Sequence, residues 1–224
     1  MPLIDLTHDF ADGMPGFSLK RDGEVKQFTA SIRPFVTHEE SAPFYDHKAS
    51  FEITEVCFQT SIGTYIDAPR HRWKDRRDIA ELRLDELVLP GVVVDATSAA
   101  PGARIGLAQI DLPEDIKGKA VLVRFGWDRY WGTETYEQYP FLDRDVIDAL
   151  IARGASLLGV DTFNVDTRAD PARPAHSLLL ERDILIVENL RDLHLLPNDG
   201  FRFFAIPIKA VGAAAMTVRA FAEV

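Results

Sequence analysis

Short apolar runs separated by turn residues recur along the chain. They predict strands at Leu3–Leu6, Phe51–Thr60, Val92–Asp95, Ala120–Phe125, Ser156–Val160, Ile184–Val187, Phe201–Ile206 and Met216–Phe221. Several of these runs are rich in β-branched or aromatic residues, so a sheet is expected to dominate the core. Helical spacing is clearest over Asp143–Arg153, where Val146, Ile147, Leu150 and Ile151 share a face, Asp143 can cap the start and Gly154 can close the end. A second helix is expected over Leu82–Leu87, and a turn or short helix at His176–Arg182 leads into the strand at Ile184. Strands with only a few helices predict an α/β fold with α+β character, and no repeat or Pro/Gly/Ser linker divides it, so one layered domain is expected over 1–224. The stretch Ile32–Lys48 carries Pro34, His38, Glu39, Glu40, Pro43, Phe44, Tyr45 and His47 without periodicity. It reads as a long loop, either a pocket wall or a solvated connector.

A length of 224 residues suits one domain with a full hydrophobic core. The formal charge of -10 is spread along the chain and argues against phosphate backbones and anionic lipid surfaces, so neither nucleic acid nor membrane is an expected partner. The longest apolar runs fall far short of the roughly 20 residues a bilayer span needs. Met1–Thr7 has neither the basic nor the apolar region of a signal peptide. The single cysteine, Cys57, has no partner for an internal disulfide and reads as packing within an apolar strand; together these features point to a reducing cytoplasm.

No G-x-S-x-G elbow, Walker loop, G-x-G-x-x-G turn, H-E-x-x-H pair or C-x-x-C occurs, so any metal would rest on His, Asp and Glu. Residues 61–71 are the most informative. Tyr65 and Asp67 share one side of an extended segment, Gly63 permits a tight backbone, and Pro69 ends any ladder before His71. Asp67 and His71 can therefore converge at a strand end. Further on, Glu188 follows four apolar residues and needs a partner if buried, which a cation or an arginine would supply; His176 precedes the same strand.

This chain resembles the cyclase family, which includes bacterial kynurenine formamidases and isatin hydrolases. The family carries H-x-G-T-H-x-D-x-P-x-H, and five of its seven specified positions match here, at Gly63, Thr64, Asp67, Pro69 and His71. The similarity continues at Ile4–His8, Asp12–Pro15, Leu158–Thr162, at His176 followed by Leu178–Leu180, and at Glu188–Leu190. Ser61 and Tyr65 stand where the family has its two metal-binding motif histidines. The resemblance implies a swivelling β/β/α-like fold, Asp67, His176 and Glu188 as the surviving metal ligands, His71 as the proton-transfer residue, and a homo-oligomer, dimer or tetramer. Three protein ligands leave an open position for hydrolysis, so one divalent metal, Zn or Mn, suffices. Tyr65 is a further catalytic candidate, as a donor to an oxyanion.

The function expected from the resemblance is metal-dependent hydrolysis of an amide, such as a formamide or cyclic amide, or a related carbonyl bond in a small, aryl-containing substrate. Two rivals stand beside it: a non-catalytic relative that binds a small molecule without metal, and a metal-independent lyase or isomerase using His71 and Tyr65 as an acid–base pair. Each residue also has a structural reading. His176 and Glu188 suit an ion pair, Asp67 suits bonding to nearby backbone amides, and Trp127, Tyr130, Trp131, Tyr136 and Tyr139 suit either a pocket wall or packing on the sheet.

Overall fold

Each of the predicted apolar runs overlaps a strand. In chain order the strands are β1 (Leu3–Asp5), β2 (Pro15–Arg21), β3 (Glu24–Thr29), β4 (Ser31–Val36), β5 (Ile53–Cys57), β6 (Tyr65–Asp67), β7 (Val88–Asp95), β8 (Arg104–Ile105), β9 (Ala120–Arg124), β10 (Phe141–Leu142), β11 (Leu157–Val160), β12 (Leu185–Glu188), β13 (Phe201–Pro207) and β14 (Ala215–Glu223). The helices are α1 (His38–Ser41), α2 (Arg144–Ala152) and α3 (Pro174–Glu181). The computed structural model describes residues 2–224. It has two compact units, one built from the residues up to His8 with Gly63–Val224, the other from Asp9–Ile62.

In the larger unit the sheet order is β1-β14-β13-β7-β9-β11-β12-β6, and β6 also pairs with β14. That last pairing closes seven of the strands into a barrel, with β1 added on the edge of β14. β7, β9, β11 and β12 run parallel, while β6, β13 and β14 join antiparallel. The register aligns Val93, Leu122, Gly159, Val187, Ile66 and Met216 in one layer around the barrel. At Gly159 a Cβ would lie 2.5 Å from Leu122 Cδ2 and 2.8 Å from Leu190 Cδ1, so this layer leaves no room for a side chain there.

The opposite face of the parallel strands presents Val92, Val94, Val121, Val123, Leu158, Val160 and Ile186 to Val146, Ile147 and Leu150 of α2 and Leu179 and Leu180 of α3. Burial on both faces explains why these strands read as continuous apolar runs rather than alternating ones. Asp143 caps α2 as expected, its carboxylate accepting the Arg144 N–H at 2.7 Å. Trp127, Tyr136 and Tyr139 lie in this core, with Tyr130 and Trp131 packed against it. Among the described residues no helix is long and apolar enough to cross a membrane.

In the smaller unit β2 and β3 form a hairpin through Asp22 (φ 54°) and Gly23 (φ 84°), the left-handed pair that a two-residue hairpin turn requires. β4 and β5 form a second antiparallel ribbon. The stretch read as one loop over 32–48 instead holds most of β4, then α1 and a 3-10 turn at Ala42–Tyr45. Thr37 and Glu40 make a reciprocal capping box that starts α1, a signal too short to produce periodicity. Cys57 is exposed rather than packed, because it ends a two-stranded ribbon whose residues are mostly open to solvent. The predicted strand Phe51–Thr60 shortens to β5, and the predicted helix at Leu82–Leu87 is only a 3-10 turn at Leu84–Glu86.

Candidate functional site

Barrel closure brings the candidate residues together. β6 pairs with β12 so that Tyr65 faces Glu188 and Asp67 faces Ile186. Ile186 packs with α3, and side chains two apart share a face, so Tyr65, Asp67 and Glu188 lie on the side where α3 carries His176. Pro69–His71 forms a 3-10 turn directly after β6 and returns His71 to Asp67.

Asp67 is fully buried, and neither carboxylate oxygen accepts a hydrogen bond. His71 Nδ1 lies 3.3 Å from its Oδ1 and His176 Nε2 lies 3.7 Å from its Oδ2, ion-pair contacts that do not form hydrogen bonds. Burial pushes the Asp67 carboxyl up to about 7, against the pull of His176 and Arg173. Glu188 is also fully buried, but its oxygens are engaged: Oε1 accepts the Val165 N–H at 2.9 Å and Oε2 accepts the Tyr65 hydroxyl. Burial raises the Glu188 carboxyl, and burial with the charges of Glu188 and Asp67 holds the Tyr65 phenol well above its ordinary value.

His176 Nε2 lies 3.4 Å from Glu188 Oε1. Burial pulls its imidazole pKa down, but Glu188, Asp166 and Asp67 outweigh burial and raise it. His71 is the open side of the cluster, with a third of its side chain exposed (33%). Burial and the neighbouring His176 lower its pKa to about 4, so its ring is neutral in the neutral range.

Asp67, His71 and His176 each offer a ligand atom, all within 4.8 Å of one another, and Glu188 Oε1 lies 3.4 Å from the same His176 Nε2 that faces Asp67. A buried carboxylate with two unbonded oxygens is costly, and a cation among oxygen and nitrogen donors satisfies it. The residues therefore fit a divalent metal. Ser61 lies in the other unit.

Other residues frame the site, and of these Asp166 gave no signal in the sequence. Asp166 accepts His176 Nδ1–H at 2.7 Å and the Ala175 and His176 backbone N–H groups at 2.8 and 3.1 Å. Asn189, in a left-handed conformation (φ 58°), donates to the Gly63 carbonyl at 2.7 Å and accepts the Tyr136 hydroxyl at 2.9 Å, tying the start of β6 to the end of β12. Asp5 pairs with Arg219, and His8 stacks on Trp131 at 3.9 Å, its backbone N–H donating to Thr64. A cleft of about 720 Å³ at the carboxyl ends of β7 and β9 is lined by His8, Arg124, Trp131, Arg191 and His194, and by none of the clustered residues.

A closed mixed barrel that carries a buried Asp and Glu on one strand pair and a buried His on the helix packed against it defines the class as an α/β barrel with a site fitted for a metal. The chain belongs to the Cyclase family, whose model, described as "Putative cyclase", matches residues 4–167. It is 31% identical over 180 residues to a kynurenine formamidase of Salinibacter ruber, covering 78% of this chain and 81% of that protein. It is 29% identical to a kynurenine formamidase of Erythrobacter litoralis, covering 78% of each. Its fold matches an isatin hydrolase bound to the product analogue thioisatinate with a TM-score of 0.83 at 22% identity, over 99% of this chain and 92% of that one. Isatin hydrolase A from Ralstonia solanacearum matches with a TM-score of 0.82 at 21% identity, over 99% and 91%.

Proposed function

We propose that this protein is a metal-dependent hydrolase of amide bonds in small aryl substrates, of the kind that N-formyl arylamines and cyclic aryl amides represent. The observation that carries this reading is Asp67, a fully buried carboxylate with no hydrogen-bond donor, set among His71, His176, Tyr65 and Glu188. Kinship to proteins named kynurenine formamidase and likeness to isatin hydrolases support the bond type and the aryl group.

Asp67, His176 and Glu188 would hold one divalent metal, zinc or manganese. When bound, that metal would supply Lewis acidity at the carbonyl oxygen and lower the pKa of water toward about 7. The protein residues supply the rest. His71, neutral and partly exposed, takes a proton from water and delivers it to the leaving nitrogen, so that the amine departs uncharged. Tyr65 keeps its proton because its phenol is held well above the ordinary range, and its hydroxyl fixes Glu188. As a donor to an oxyanion, its other candidate role, it would have to turn its single proton away from Glu188.

Elemental mass spectrometry on protein purified without chelator tests the ligand set. About one zinc or manganese per chain is expected in the wild type, lost in His176→Ala and Glu188→Gln and retained in His71→Ala, which is folded but inactive. Metal lost in His71→Ala and kept in Glu188→Gln would exchange the roles of those two residues. No metal in the wild type, after both ions are offered, would remove the reading.

A homo-oligomer in a reducing cytoplasm is part of the same reading. Its support is the smaller unit, where Phe17, Val25, Phe35 and Phe44 stand 67–72% exposed. Mass in solution is its test.

A further inference from the structure

We propose that Asp166 is the positioning residue of this site, fixing the proton of His176 on Nδ1 and thereby aiming the Nε2 lone pair at Asp67 and Glu188. The inference rests on the metal-site reading for its consequence, but on hydrogen-bond geometry for its substance.

Asp166 is buried, with 1% of its side chain exposed, yet it is satisfied as Asp67 is not. Its Oδ1 accepts the Ala175 N–H at 2.8 Å; its Oδ2 accepts the His176 N–H at 3.1 Å and the His176 ring at 2.7 Å. An ionised carboxylate only accepts, so the ring nitrogen facing it must be the donor. In a neutral imidazole the other nitrogen then carries the lone pair. That nitrogen, Nε2, is the one 3.4 Å from Glu188 Oε1 and 3.7 Å from Asp67 Oδ2. One carboxylate thus holds both the backbone of the first turn of α3 and the ring that α3 presents, so the imidazole is fixed at two points rather than one.

Asp166 is itself anchored. Its backbone N–H donates to Asn164 Oδ1 at 2.9 Å, and the same oxygen accepts from the Arg173 guanidinium at 2.6 Å. Arg173 adopts a left-handed conformation (φ 48°) immediately before α3, and its Nε lies 3.8 Å from Asp166 Oδ2. A non-glycine residue in that conformation needs the surrounding structure to hold it, and these contacts do so.

A helix cap alone would account for the two backbone bonds but not for the ring. The test therefore reads the ring directly. Protein labelled with ¹⁵N-histidine is examined metal-free over a pH series carried upward until the His176 signals report a ring with a single proton, with His176→Gln to assign the signals. The wild type should give a protonated Nδ1 and a bare Nε2 at His176. Asp166→Ala should lose that preference and weaken zinc binding about 10- to 100-fold in competition with a chromogenic chelator. Asp166→Asn retains an acceptor for the ring, should keep the tautomer, and should fall between the two in zinc affinity; it also serves if the alanine variant does not fold. A wild-type His176 protonated on Nε2 would overturn the inference, as would folded variants that bind zinc within twofold of the wild type. If the wild type has the expected tautomer but binds no zinc, the metal reading fails and the positioning role stands.

Discussion

Asp67 and Asp161 are both buried carboxylates pushed up to about 7 by desolvation, and their surroundings separate their roles. Asp161 accepts the Phe125 and Gly126 N–H groups at 2.9 and 2.7 Å, bonds that favour its charged form and partly offset burial, whereas Asp67 accepts none. Asp161 therefore serves the fold by holding the chain where β9 ends, and Asp67 is left for a ligand. The raised value has a stability consequence. The folded Asp161 carboxyl binds a proton up to about pH 7, the unfolded one only to about the ordinary aspartate value of 3.8. Between these values the folded state holds more protons, so this contribution is full below the unfolded value and is lost as pH rises through about 7. Its steepest slope is about 1.4 kcal/mol per pH unit. Thermal melts from about pH 5 to 8 should show a wild-type decline that is shallower in Asp161→Asn, the subtraction removing the share Asp67 makes in the same window. Equal slopes in the two proteins would contradict this account. At this scale Asp67, His71, His176 and Glu188 were legible because each breaks an apolar pattern or sits in a dense motif. Asp166 was not, since it lies in an irregular loop ten positions before the ring it holds.

Elements packed on both faces were the easiest to read. β7, β9, β11 and β12 are continuous apolar runs, and α2 has caps and a single apolar face. β6 has only three residues and its partners lie far along the chain, so the motif showed its extended backbone but not the strands it pairs with. The β2–β3 hairpin escaped for the opposite reason: its Asp22–Gly23 turn is a strong signal, but the flanking strands do not alternate apolar and polar toward a core. Their apolar side chains face outward instead, with Phe17 at 68% and Val25 at 67% exposure, beside Phe35 at 67% on β4. The proposed homo-oligomer would give those residues a partner. Light scattering should give the wild type a mass that is a multiple of 25.1 kDa, with Phe17→Ser combined with Phe35→Ser shifting it toward the monomer. A monomeric wild type would remove the proposed oligomer.

The site exists only at the scale of the whole barrel. Tyr65 and Glu188 are 123 positions apart and meet because β6 closes the sheet between β12 and β14. Local pattern carried the layers of the fold but not that closure, which depends on pairing between distant short strands; the family resemblance carried the grouping of the four site residues. The central claim is that this cluster hydrolyses an aryl amide with the help of a metal. The most direct measurement follows release of the aryl amine from an N-formyl arylamine, with the purified protein as isolated, after exhaustive chelation, and after zinc or manganese is restored. The account predicts turnover that chelation abolishes and either cation returns. Turnover that survives complete metal removal and disappears in Tyr65→Phe would contradict it, and would assign the chemistry to a metal-free acid–base pair of His71 and Tyr65.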